Sequence, residues 1–291
     1  MTIEASAPIV FKNVLFATDF SPRSEASLPY ALSIARRYGS RVIVAHVGPE
    51  TFGLPVAARE GLAALGATPK RENPQGLRAL ERKLSHVPHE IQMRTGDVWT
   101  ELAEIIGAQE IGLIVIGTHG RTGVGKVLVG SVAETIFRHA PCPVLTIGPE
   151  ICGEPGSIAD LHEILFATDF SDESLAALPF AISLAQHDRA RLYLLHITPE
   201  LFSIETQQLV QERLQNMVPE AAELACKPKA LVEFGPPAEK ILDVAEELGI
   251  DLIVLGVKRT PVHFEFSPHL RQPTAYKVVS RATCPVLTVR G

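Results

Sequence analysis

The chain has 291 residues, 46% of them apolar and 21% charged, with a net charge of −6 and a pI near 5.9. That length accommodates two ordinary domains, or one large one, with a sizeable core, and the composition is that of a globular chain. The acidic balance argues against a protein built mainly to coat nucleic acid or an anionic membrane, and no apolar run approaches the roughly 20 residues of a transmembrane helix.

Met1 to Val10 lacks a basic stretch followed by an apolar core, so a secretory leader is not expected. Cys142, Cys152, Cys226 and Cys284 form no CxxC pair, which is the usage of reduced thiols in a cytoplasmic protein.

Laid on itself, the chain repeats. Val14-Leu15-Phe16-Ala17-Thr18-Asp19-Phe20-Ser21 returns as Ile164-Leu165-Phe166-Ala167-Thr168-Asp169-Phe170-Ser171. Leu28-Pro29, Arg41, His46 and Pro49-Glu50 return as Leu178-Pro179, Arg191, His196 and Pro199-Glu200. Cys142-Pro143-Val144-Leu145-Thr146-Ile147 is answered by Cys284-Pro285-Val286-Leu287-Thr288-Val289. Two copies of one domain follow, residues 1–150 and 158–291, joined by a Gly- and Pro-containing linker between Gly148 and Asp160.

In chain order, the first copy alternates strand and helix patterns. Asn13 to Thr18 is a β-branched and apolar run, the first strand. Ser24 to Tyr38 has apolar residues at helical spacing, with Ser21 or Ser24 as N-cap and Gly39 just past the end. Arg41 to Val47 is a second strand, and Thr51 to Pro74, mixing Gly, Pro and charge, reads as a flap. Gln75 to His86 is helical, His89 to Arg94 a strand, and Thr100 to Ala108 a helix. Gly112 to Gly117 is the fourth strand, Ser131 to His139 a helix, and Val144 to Ile147 the fifth strand. Continuous apolar strands between helices imply a parallel sheet covered on both faces. In such sheets a ligand sits at the carboxyl ends of the strands where their order reverses; if the first and fourth strands are neighbours across that reversal, Thr18-Asp19 and Gly117 to Gly120 lie on opposite lips of one crevice.

The apolar run Leu113 to Ile116 opens into Gly117-Thr118-His119-Gly120, and Gly130-Ser131 follow at the start of a helix. Strand, glycine-rich loop and helix start together make a phosphate cradle, because glycines let the backbone approach and helix N–H groups favour an anion. Gly120 to Val127 also matches the opening of a P-loop, but Val127 stands where the magnesium-binding Ser or Thr is required, so that reading fails. In the second copy the loop reads Gly256-Val257-Lys258-Arg259, and Gln272-Pro273-Thr274 replaces Gly130-Ser131-Val132. An arginine, and a proline without an N–H, cannot make the same cradle. The alternatives there are a changed ligand held by Lys258, Arg259 or Arg271, or a metal at His263 and His269, whose spacing lacks a usual zinc partner.

These residues resemble the universal stress protein family over the whole chain apart from the first ten residues and the linker. The family motif Gly-x2-Gly-x9-Gly-Ser/Thr stands complete as Gly117, Gly120, Gly130 and Ser131. The resemblance implies two tandem Rossmann-like (adenine nucleotide alpha hydrolase-like) α/β domains, each a five-stranded parallel sheet flanked by helices. It implies an ATP site, with or without Mg2+, in the first. Ala17 (where family members often have proline), Thr18 and Asp19 would lie at the adenosine, with Asp19 contacting ribose or base. Val47 would meet the adenine edge by its backbone, and Ile116 and Gly117 would pack on the sugar. His119, Gly120, Gly130, Ser131 and Val132 would surround the phosphates, with Lys126 or Arg121 able to neutralise their charge. His46, mirrored by His196 in the copy with the failing motif, reads as a structural strand-end histidine. The implied role is a nucleotide-dependent stress-response or regulatory binding module. The alternatives are a slow ATPase and a partner-docking protein. The resemblance further implies pairing of the two last strands within the chain, and a homodimer.

Overall fold

The computed structural model describes residues 9–48, 74–118, 131–148, 151, 161–200, 203–258 and 274–291. The first copy runs β1 (Asn13–Ala17), α1 (Pro22–Glu25), α2 (Leu28–Tyr38), β2 (Arg41–Gly48), α3 (Pro74–Leu84) and β3 (His89–Thr95). It continues with α4 (Val98–Ala108), β4 (Ile111–Gly117), α5 (Ser131–His139) and β5 (Val144–Ile147). The second runs β6 (Glu163–Thr168), α6 (Asp172–Leu175), α7 (Leu178–Asp188), β7 (Arg191–Thr198), α8 (Ile204–Gln215) and β8 (Lys229–Phe234). It closes with α9 (Pro237–Glu247), β9 (Leu252–Val257), α10 (Thr274–Arg281) and β10 (Val286–Arg290).

Where the elements depart from the periodicity, local chemistry is the reason. The single helix expected from Ser24 to Tyr38 is two, because Pro29 cannot donate to the carbonyl of Glu25 and its ring crowds that group. The break recurs before Pro179, four residues after Leu175, where α6 ends. Ser21 is the cap, accepting from the N–H of Ser24 at 3.1 Å, and Gly39 closes α2 with φ 63°. Helix α4 starts two residues earlier than its apolar pattern, at Val98, because Asp97 accepts from both the N–H and the hydroxyl of Thr100.

Consecutive residues Val14, Leu15 and Phe16 are fully buried, as are Ile164, Leu165 and Phe166, so each central strand is covered on both faces. All strands join one ten-stranded sheet in the order β3-β2-β1-β4-β5-β10-β9-β6-β7-β8. Within each copy the strands are parallel. The copies meet through β5 and β10, which pair antiparallel with Leu145 opposite Leu287.

Away from the seam, the copies are joined by contacts between α2 and α7. Arg37 Nη1 lies 2.6 Å from Asp188 Oδ2, with both side chains more than nine-tenths buried. At the pseudo-equivalent contact Tyr38 faces His187, ring centroids 4.9 Å apart. Burial, and next the charge of Asp188, push the Tyr38 phenol up to about 12. The Ile9 N–H donates to Ser183 Oγ, Phe11 stacks on Phe180, and Arg290 donates to the carbonyl of Phe137 at the end of α5. Asp188→Ala strands a buried guanidinium and should cost about 3 kcal/mol in urea unfolding. Replacing both members, Arg37→Met with Asp188→Leu, should cost less than about 1 kcal/mol.

Candidate functional site

The strand order reverses between β1 and β4: β1 connects onward to β2 on one side, and β4 onward to β5 on the other. The carboxyl ends of β1 and β4 therefore form the two lips of a crevice, the position where open α/β sheets take ligands. Thr18 and Asp19 follow β1, and Ile116 and Gly117 end β4. Val47, half-buried, lies near the end of β2.

The turn after β1 is tightly determined. The Thr18 hydroxyl accepts from the N–H of Phe20 at 3.0 Å and lies 3.0 Å from Ser24 Oγ. Since the Ser24 hydroxyl donates to the Ser21 carbonyl, Thr18 is the donor to Ser24. Asp19 Oδ1 accepts from the N–H of Ser21 at 2.9 Å. Phe20 sits at φ 56°, a left-handed conformation rare for a bulky side chain, and its ring rests 4.7 Å from that of His46. His46 Nδ1 donates to the Thr18 carbonyl at 2.8 Å, so one ring fastens both ends of the turn. Such local strain persists only where its surroundings over-determine it.

The second copy builds the same turn. Thr168 lies 2.7 Å from Ser174, Phe170 sits at φ 62°, and His196 donates to the Thr168 carbonyl at 2.9 Å. Burial pushes the Asp169 carboxyl up, but the hydroxyl and N–H of Ser171, with a bond from Ser174, outweigh it and hold that carboxyl below its ordinary value. Its contribution is present above the ordinary carboxylate range and fades as acid protonates it. His46 and His196 are thus placed as structural residues. Ser24, one of two N-cap candidates from sequence, is instead buried against Thr18, and Phe20 in its strained conformation was given no role from sequence, although the repetition of Ser-x-x-Ser after both strands carried the signal.

The fourth strand of each copy borders its crevice. In the first copy Ile116 and Thr118 are buried, and the Thr118 N–H donates to the carbonyl of Ile147. In the second, the position matching Gly117 is Gly256, where an added Cβ would fall 2.1 Å from the Glu173 carbonyl oxygen and 2.3 Å from Ser174 Cα. That glycine lets the backbone of α6 lie directly on β9. Gly256→Ala should therefore destabilise the protein by about 1–3 kcal/mol in urea unfolding, with or without ligand.

Ser131 opens α5, and Val132 follows it, partly exposed beside a cleft of about 220 Å³ shared with Asp97, Trp99 and Thr135. His119, Gly120, Lys126 and Gly130 lie outside the described residues, as do Arg121, the flap from Thr51 to Asn73, and the second-copy residues Arg259, His263, His269, Arg271 and Pro273. Lys258 is described and exposed. Among the described residues no three His, Cys, Asp or Glu side chains group to hold a metal, and no helix is long and apolar enough to cross a membrane.

Burial pushes the thiols of Cys142 and Cys284 up to about 12, and Cys226 is exposed. Iodoacetamide at pH 8 should label Cys226 and leave Cys142 and Cys284 unmodified in the folded protein, as read by peptide mass spectrometry.

A sequence model described as the universal stress protein family matches residues 11–148 and again residues 161–290. Universal stress protein MJ0531 of Methanocaldococcus jannaschii is 27% identical over 140 residues, covering 47% of this chain and 82% of its own. Universal stress protein YxiE of Bacillus subtilis is 32% identical over 149 residues, covering 44% of this chain and 99% of its own. In fold, the chain is similar to a crystal structure of a universal stress protein from Archaeoglobus fulgidus, with a TM-score of 0.70 and 21% identity over 96% of this chain and 98% of that one.

Proposed function

The chain belongs to the universal stress protein family, and from that premise we propose that it binds one ATP, in the crevice between β1 and β4 of the first copy, as a nucleotide-dependent regulatory module. The observation that carries this reading is the coincidence of two independent features. The strand order reverses at β1 and β4, and the chain leaving β4 carries Gly117, Gly120, Gly130 and Ser131 at the spacing of a phosphate cradle.

The residues divide into those that touch the ligand and those that shape the turn. Asp19, tied at one oxygen to the Ser21 N–H, presents its carboxylate to a ribose hydroxyl or an adenine amine. Backbone groups at Val47 read the adenine edge, and Ala17, Ile116 and Gly117 pack on the sugar. The start of α5 at Ser131 and Val132, with His119, Gly120, Gly130 and Lys126, receives the phosphates and any Mg2+ that accompanies them. Thr18 acts as a positioning residue, since its hydroxyl is occupied by Phe20 and Ser24. An Asp19 already accepting a backbone hydrogen bond suits orienting a ligand better than taking a proton from water, which favours binding over turnover. The second copy keeps the turn but not the cradle, so it is assigned no ATP.

Mass spectrometry of ligand released from the purified protein should give about one ATP per chain. Two per chain would overturn the asymmetry, and none after saturation with ATP would overturn the assignment. Trp99, the sole tryptophan, lies beside Val132, so its fluorescence provides a titration. Asp19→Ala should weaken ATP about 10- to 100-fold, the loss expected for a charged hydrogen bond, and Asp169→Ala should leave affinity unchanged.

A further inference from the structure

A groove of about 1140 Å³ runs along α1 and α2, on the sheet face that also carries α3 and α7. Ala26, Pro29 and Leu32 give it an apolar floor. Its walls come from both copies, Lys83 from α3 and residues 187–189 from the end of α7. From Leu28 to Arg37 it follows the axis of α2 for roughly 14 Å at about 1.5 Å per residue.

Its charge is opposite to that of the chain. Both carboxylates in the lining are neutralised, Glu25 by Lys83 at 3.0 Å and Asp188 by Arg37 at 2.6 Å. Arg36 and Arg189 are exposed and have no ion-pair partner among the described residues. A surplus of positive charge therefore lines an apolar channel on a chain whose net charge is −6. Arg189 holds a left-handed conformation at φ 56°, at the helix end where the first copy uses Gly39 at φ 63°. An L side chain is disfavoured there, and the fold itself asks only for glycine. The arginine is thus a cation set at the rim of the groove against a steric preference.

The repeat aligns Ser33 in the groove with Ser183 of α7, whose hydroxyl accepts from the backbone N–H of Ile9, so a serine at this helix position can hold a main-chain N–H. An open groove of this volume along a helix face has room for a chain segment.

We propose that the groove docks an extended acidic peptide segment of a partner protein, with apolar side chains on Pro29 and Leu32 and carboxylates on Arg36 and Arg189. The mode is a main chain laid along a helix face, with charge selecting the partner.

The test uses the full chain and a fluorescein-labelled peptide of about eight alternating Glu and Leu residues, followed by fluorescence polarisation. Expected are saturable binding that weakens as salt rises, at least a tenfold loss in Arg36→Glu/Arg189→Glu, and a few-fold loss in Arg189→Gly, which the left-handed helix end accommodates. Absence of saturable binding to the wild type would overturn the proposal, as would undiminished binding to the charge-reversed variant. Equal binding of an alternating Lys and Leu peptide would reduce the groove to unspecific apolar contact. Displacement of the labelled peptide by inorganic polyphosphate as readily as by unlabelled peptide would reassign the groove to phosphate polyanions. These last two arms use the wild-type protein and stand even if the variants fail to fold. The ATP content of the charge-reversed variant should match that of the wild type, which separates this docking surface from the nucleotide crevice.

Discussion

The antiparallel pairing of β5 with β10 sets the geometry of the whole molecule. Every other strand pair is parallel, so the direction of the strands turns over once, at the seam. The carboxyl ends of the first copy's strands consequently point to one edge of the sheet, and those of the second copy to the opposite edge. Two edge strands that would otherwise stand exposed are consumed in the process. The apolar layers on the two faces then run across both copies as continuous cores. The same inversion brings the ends of α2 and α7 together, where Arg37 and Asp188 meet out of water.

At the crevice, the fold and the ligand chemistry are carried by different residues. Thr18, Ser21, Ser24, Phe20 and His46 satisfy one another in a closed set of contacts, and the second copy reproduces that set although its loop after β9 has lost the glycine pattern. A turn that survives beside a lost motif belongs to the scaffold. What distinguishes the two copies lies in the segments after β4 and β9, in keeping with the general placement of function on loops held by rigid strands.

Most of the strand pattern was legible in sequence, because buried parallel strands such as Leu113 to Ile116 are unbroken apolar runs and glycine or proline punctuates their ends. The neighbour relation of β1 and β4 was a supposition from sequence, since the rule for open α/β sheets says where a ligand sits but not which strands adjoin. Helix boundaries were less legible: Pro29 split a helix that apolar spacing alone continues, and Asp97 started another ahead of its pattern. The residues of the turn were visible as a repeat, but their mutual hydrogen bonds were not. The pair Arg37 and Asp188, and the groove beside it, could not be read from sequence. Their residues are far apart along the chain, and neither periodicity nor a motif marks a contact made only when two domains meet.

That last contact also says something about descent of the fused chain. In a pair of identical subunits related by a two-fold axis, every substitution is made twice, and a residue must suit both sides of the axis at once. Arg37 with Asp188 on one side, and Tyr38 with His187 on the other, is an arrangement no pair of identical subunits can form. Two first copies would bury two guanidinium groups without a carboxylate between them. Joining the copies in one polypeptide releases each half from its mirror image, so that Gly39 and Arg189 can close corresponding helices with different chemistry. The halves thereby became lock and key to each other, and the freedom to diverge came with the loss of interchangeability.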